Sequence, residues 1–270
     1  MGDTIRLSVG FAAAFAAVCV FGTAPSLATD DQQSHIKAAA LLARAQKAIG
    51  AGTEGRTTKT LKAEGVLTTT ANAGGAAPLP RRIAILAIVP SHYLRQESDD
   101  YGSRLNGFAE NVLLSRFNAR GGRATISGLG GDFQLQNERQ EMARLLLGFF
   151  GSTAGLIDAK LSVVEPEGNA LRVSASRFEC VLELDSTTFV PVRVVYGGPS
   201  RNSLTPSQAA SPSGDRTAAT VISFEDRRRD RGLLVPYRIV RSRNGKTLEE
   251  VNFQSVGVNT PLRAADFTDR

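Results

Sequence analysis

Few residues in this 270-residue chain are spaced for chemistry. Its two histidines, His35 and His92, stand far apart, and neither has a second histidine or paired carboxylates at metal-ligand spacing. Gly128-Leu129-Gly130-Gly131 leads into Asp132, whose charge repels phosphate, and no Lys-Ser/Thr pair follows. No Gly-x-Ser-x-Gly elbow supports a serine nucleophile. Cys19 and Cys180 are the only thiols, too few for a disulfide scaffold or a multi-thiolate zinc site. The even positions of Phe178-Glu179-Cys180-Val181-Leu182-Glu183-Leu184 are all apolar, so Cys180 is expected on the inward face of a strand, as packing and not as a nucleophile. These residues predict a protein that is no enzyme and uses no metal or cofactor.

Two other groupings remain. Arg227, Arg228, Arg229 and Arg231, interleaved with Asp226 and Asp230, form the densest charge cluster. It reads either as a solvated hairpin tip or as a contact for anionic membrane headgroups, where each charge contributes roughly 1 kcal/mol. The segment Glu138–Phe150 predicts a helix with Met142, Leu145, Leu146 and Phe149 on one face and Glu138, Arg139, Glu141 and Arg144 as its polar residues. With Phe150, these large side chains each gain ~1.5–3 kcal/mol from burial, so they do not face water cheaply. Either they close permanently on a sheet, or they open and share that surface with an acyl chain. Gly128, Gly130 and Gly131 before the helix, and Gly151 and Gly155 after it, would act as hinges.

Positioning such a helix takes a folded chain, and the composition supplies one. Hydrophobic residues make up 42% and charged residues 21%, which excludes wholesale disorder. The 32 basic residues against 26 acidic ones give +6, but aromatics at 6% are thin for stacking on nucleic acid, which is not expected as a partner. Arg6, the apolar run from Leu7 to Phe21 and the small-x-small end Ser26-Leu27-Ala28 describe an export signal, residues 1–28, with cleavage after Ala28. A periplasmic or extracellular location follows, with residues 29–270 as one domain. Cleavage would remove Cys19 and leave Cys180 alone; the alternative is an uncleaved signal kept as an anchor.

A helix is expected from Ser34 to Ile49, ended by Gly50. Extended segments follow at 58–70, 83–89, apolar on both faces and so expected to be covered from two sides, at 91–98, and at 105–117 as one strand or a pair. After the helix at 138–150 come strands at 161–165, 171–176, 178–184, 190–196, 219–229, 233–243 and 247–256, separated by turn residues such as Asp230-Arg231-Gly232 and Asn244-Gly245. The Ser/Pro-rich stretch 199–216 reads as a surface insertion. The expected class is α+β: one long, curled antiparallel sheet, a half-barrel, with an N-terminal helix and a lid-like mid-chain helix on its concave face.

The order of elements and four passages resemble the periplasmic lipoprotein-carrier superfamily, the half-barrel group of LolA, LolB, the RseB sensor domain and LppX-type proteins. The passages are Lys59 to Gly65, Leu182 to Pro191, Phe224 to Pro236, and Val256 to Pro261 leading to Phe267. The resemblance covers most of residues 34–270, and its motifs are structural: Asp185 and Gly232 turn the chain, and Pro191 and Pro236 stand where strands begin. Two features depart from the group. The 199–216 insertion is long, and no arginine aligns with the one that gates the carrier's lid. Lipophile binding is therefore implied, rather than lipoprotein carriage proper.

The expected ligand is a lipid or acyl chain held between sheet and helix. Met142, Leu145, Leu146, Phe149 and Phe150 would face it from the helix. Ile83, Ile85, Phe178, Leu182, Val192 and Val194 would face it from the sheet, and Arg227, Arg228, Arg229 and Arg231 would touch the membrane. The alternative is an envelope protein-interaction or stress-sensor module without lipid, using a sheet edge or the insertion.

Overall fold

The structure, a computed structural model, describes residues 27–51, 58–70, 79–119, 122–125, 131–165, 168–197 and 218–267. The expected export signal up to residue 26, Gly128, Gly130 and the 199–216 insertion lie outside these residues.

Helix α1 (Leu27–Ile49) precedes six strands: β1 (Thr60–Thr69), β2 (Arg81–Ile88), β3 (His92–Asp99), β4 (Gly102–Ala109), β5 (Val112–Ala119) and β6 (Gly122–Thr125). Helix α2 (Gly131–Phe150) follows. Then come β7 (Lys160–Val163), β8 (Ala170–Ala175), β9 (Phe178–Leu184), β10 (Pro191–Tyr196), β11 (Thr220–Asp230), β12 (Leu233–Arg243) and β13 (Lys246–Val258), with a short 3-10 turn at Ala264–Phe267. The strands form one open, 13-stranded antiparallel sheet in the order β6-β5-β4-β3-β2-β1-β13-β12-β11-β10-β9-β8-β7. This is the α+β half-barrel architecture expected from the sequence.

Two meanders run outward from a central seam where β1 pairs with β13. Their outermost strands, β6 and β7, are consecutive in the chain but lie at opposite edges of the sheet. The segment joining them therefore has to cross from one arm to the other, and α2 is that segment. Tight hairpins keep each meander in register. At Asn244-Gly245 (φ +50° and +71°) and Arg231-Gly232 (φ +48° and +86°) two successive left-handed residues turn the chain with the twist of the strands. At Asp185 the side chain does the same work, its Oδ1 accepting from the Thr187 and Thr188 amides and the Thr188 hydroxyl at 2.7–3.1 Å.

Period-two burial gives the sheet its inner face: Leu61, Ala63 and Leu67; Ile83, Ile85 and Ala87; Ile222 and Phe224; Val251 and Phe253. Cys180 lies on this buried set, as its strand pattern predicts, and burial pushes its thiol up to about 12, keeping it protonated and inert. In β2 the alternate residues Ala84, Leu86 and Ile88 are only half-buried, so this strand is covered on one face and not on both.

Both helices start earlier than their periodicity suggests. α1 extends upstream of Ser34, so Ser34 is not its cap, and the expected cleavage position after Ala28 falls in its first turn. It buries Ala38, Leu41, Leu42, Ala45 and Ile49 against β7, β8 and β12. α2 begins at Gly131, and every residue from Glu141 to Phe150 is buried. The polar face expected for Glu138, Glu141 and Arg144 is thus absent: all three are buried, because the helix lies in the trough with sheet on several sides. Gly148 permits the closest approach, since a β-carbon there would lie 1.9 Å from the Phe224 ring. Phe149 completes this end, with ring centroids 6.1 Å from both Phe224 and Phe253.

Gly148→Ala forces α2 off the Phe224 ring and is expected to lower stability by about 1–3 kcal/mol, the cost of overpacking. Urea unfolding checks it, and an unchanged midpoint would show that the helix is not seated as described.

Candidate functional site

The trough beneath α2 is the site to which the sequence points. Ten of the eleven expected lining residues join one continuous core: Met142, Leu145, Leu146, Phe149 and Phe150 from α2, with Ile83, Ile85, Phe178, Leu182 and Val194 from the sheet. Val192 does not. It is half-buried beside a register shift between Pro191 and Arg193, which breaks the alternation that would have placed it in line with Val194. The five α2 side chains are at most 5% exposed, so in this structure the helix itself occupies the trough. A hydrocarbon lying there would have to take their place. An open, largely polar cleft of about 650 Å³ flanks the start of α2, lined by Gly131, Asp132, Phe133, Gln136, Ser176 and Arg177.

Adjacent residues of α2 hold the two rims. Arg139 donates to the Glu110 carbonyl (3.1 Å) and Asn111 Oδ1 (2.6 Å) in the β4–β5 turn. Gln140 donates to the Arg177 carbonyl (3.0 Å) in the β8–β9 turn. One helical turn thereby ties both arms of the open sheet together.

One residue farther along, the interior becomes ionic. Glu141 pairs with Arg241 of β12 and lies 3.5 Å from Arg144. The Arg144 guanidinium also sits 3.9 Å above the Tyr196 ring. Arg241 Nε is 3.2 Å from Glu249 of β13, its cross-strand partner. Glu249 in turn takes two hydrogen bonds from Arg95 of β3 at 3.0 and 3.2 Å, and Arg95 reaches Glu97 at 2.7 Å. Burial alone would raise the Glu249 carboxyl, but Arg95 and Arg241 outweigh it and hold the group down at about 2. Buried charges of this kind persist only when paired and hydrogen-bonded. The inner face therefore has two ends, an apolar one at Phe149, Phe224 and Phe253 and an ionic one at Glu141, Arg241, Glu249 and Arg95. The sequence reading missed the second.

The arginine cluster divides as well. Period two through Thr220, Ile222 and Phe224 would turn position 226 inward, but Asp226 adopts φ +46° and the ladder skips it. Beyond that break Arg227 faces α2. It donates to the Gly148 carbonyl at 2.9 Å, to the Leu234 carbonyl at 3.2 Å and to the Pro191 carbonyl. Desolvation by burial lowers its guanidinium to about 10. Arg227 is thus not part of the hairpin-tip surface expected for it. Arg228, Arg229 and Arg231 are exposed there, Arg228 pairing with Asp226 at 2.6 Å and lying 4.4 Å from the Tyr237 ring.

Solved structures are similar to this chain. A DUF1329 family protein from Desulfovibrio piger is 12% identical, with 87% of this chain and 97% of that one aligned at a TM-score of 0.50. A LolA superfamily protein from Nitrosomonas europaea is 14% identical over 86% of this chain and 97% of that one, at 0.47. A putative outer membrane lipoprotein-sorting protein domain from Vibrio parahaemolyticus is 11% identical over 88% and 97%, at 0.45. The likeness to the Desulfovibrio piger protein is one of fold alone. No protein-family model and no curated protein matches the chain. Among the described residues, no helix is long and apolar enough to cross a membrane.

Because the Glu249 carboxyl is held down at about 2 against an ordinary 4.5, its stabilisation is complete above about pH 4.5 and fades as pH falls toward 2. Glu249→Gln is expected to cost about 3–5 kcal/mol at pH 7, by leaving Arg95 and Arg241 underpaired, and to flatten that acid slope. Unfolding at pH 7 and pH 3 checks both, and an equal acid slope in the two proteins would contradict the assignment.

Proposed function

We propose that this chain is an exported, non-enzymatic binding protein for a hydrophobic ligand, held between the curled sheet and α2 when that helix moves outward. The observation that carries the reading is the position of α2. It fills an open trough with Leu145, Leu146, Phe149 and Phe150, while polar contacts at the rims, through Arg139 and Gln140, and at Arg227 tether it. Moving these side chains into water costs ~1.5–3 kcal/mol each. An alkyl chain entering the trough offsets that cost by giving the helix a new apolar surface to cover. Binding is driven by desolvation and needs no cofactor. Fold likeness to the half-barrel proteins is compatible with this reading and does not decide it.

At the β11–β12 tip, Arg228, Arg229 and Arg231 form the surface proposed to meet anionic headgroups. Cosedimentation with phosphatidylglycerol vesicles, lost with phosphatidylcholine vesicles and on replacing the three by Gln, checks that contact.

A second reading, docking of a protein on the sheet, is favoured by the exposure of Val112 (63%) and Phe117 (43%) on β5, next to the edge strand β6. Purification from the envelope separates the two. The binding reading predicts alkyl ligand in native mass spectra and solvent extracts, and uptake of a fluorescent fatty-acyl probe by the delipidated protein. Arg227→Met, which removes the tether to Gly148, is expected to raise probe uptake several-fold. A stable protein partner with no extractable lipid, and no uptake by either form, would overturn it.

A further inference from the structure

We propose that the ligand of the trough is a single-chain anionic amphiphile, its acid head replacing the Glu141 carboxylate on Arg241 and its hydrocarbon replacing the apolar stripe of α2. This rests on the binding reading above and adds the ligand's chemistry.

Glu141, Leu145 and Phe149 recur every four residues and so share one face of α2. On that face the helix presents a carboxylate followed by about 12 Å of apolar surface, at 1.5 Å per residue. The carboxylate meets Arg241, and the apolar stretch ends among Phe224 and Phe253. The helix thus has the layout of a fatty acid, with a buried guanidinium at the head and aromatic rings at the tail.

Charge gives the second argument. Among the described residues, the sheet carboxylate paired with Arg241 is that of Glu249, which it shares with Arg95 and its two hydrogen bonds. Among the described residues, the Arg241 Nε makes an ion pair with Glu249 at 3.2 Å but no well-aligned hydrogen bond even with α2 in place, although the side chain is only 6% exposed. When α2 withdraws, it takes away the carboxylate that satisfies the outer part of this guanidinium. A hydrocarbon entering the trough excludes water from the same place. An oxyanion on the entering molecule restores the pair, whereas a neutral or cationic head leaves a buried charge underpaired. The recognised chemistry is an oxyanion on a long alkyl chain, and a carboxylate or a phosphate supplies it.

The test is equilibrium binding of hexadecanoate, hexadecyl phosphate, hexadecanol and hexadecyltrimethylammonium to the delipidated full chain below their micelle concentrations. The two anions are expected to bind at least about tenfold tighter than the alcohol, and the cation weakest. Preference between carboxylate and phosphate tells a free fatty acid from a phospholipid-derived head. Arg241→Gln is expected to bring hexadecanoate down to the level of hexadecanol. Glu141→Gln removes the competing internal anion and is expected to tighten hexadecanoate binding about tenfold. Should Arg241→Gln fail to fold, Glu141→Gln carries the test, and unchanged or weaker hexadecanoate binding by it overturns the proposal. Equal affinities for hexadecanoate and hexadecanol overturn the anionic head and leave hydrophobic binding standing. No uptake of any of the four overturns both.

Discussion

An open antiparallel sheet that curls must cover its inner face, and here a single helix provides most of the cover. The constraint is topological before it is energetic. Because β6 and β7 lie at opposite edges and follow one another in the chain, whatever joins them crosses from one edge of the sheet to the other, and here α2 does so through the trough. A polar linker would leave Ile222, Phe224, Val251 and Phe253 wet. A helix with apolar residues around much of its circumference does not, and Gly148 lets it settle directly on the Phe224 ring. The continuity of the core depends on that one element.

The ionic end of the trough changes what such a cover can be. A helix seated by hydrophobic contact alone slides at small cost, since apolar contacts are non-directional. Glu141 on Arg241, Arg139 and Gln140 on the two rim turns, and Arg227 on the Gly148 carbonyl give α2 fixed positions along and across the trough. Each of these contacts is replaceable by water or by a ligand group, unlike the continuous strand ladders. A continuous sheet with a polar-tethered insert is compatible with the proposed receptacle, whose cover would move while its walls stay.

Much of the sheet was legible in the sequence, because period two and turn chemistry are local. Cys180 among Phe178, Leu182 and Leu184, the Asn244-Gly245 turn and the stripe of Met142, Leu145, Leu146 and Phe149 all fall where the pattern places them. The failures share one cause: burial of a polar residue depends on partners far away in the chain. Glu141 and Arg144 look like a solvated helix face until Arg241 and Tyr196 are brought to them. A signal was present, since Arg241 is in phase with Ile239, and Glu249 with Val251 and Phe253, on neighbouring strands with opposite charge. Arg227 was misread for a different reason. The positive φ at Asp226 resets which residue faces inward, and an Asp in a charged run gives little warning of it. Val192 was lost in the same way, at the break after Pro191.

In the proposed function, α2 is a cover that moves and not a permanent part of the wall. Spin labels on cysteines introduced at Gln136 of α2 and at Lys246, the first residue of β13, with Cys180 replaced by Ala, report it directly by pulsed electron resonance. One short distance is expected in the delipidated protein, with a longer population that grows in proportion to bound alkyl ligand. Stoichiometric ligand uptake with an unchanged distance distribution would contradict it.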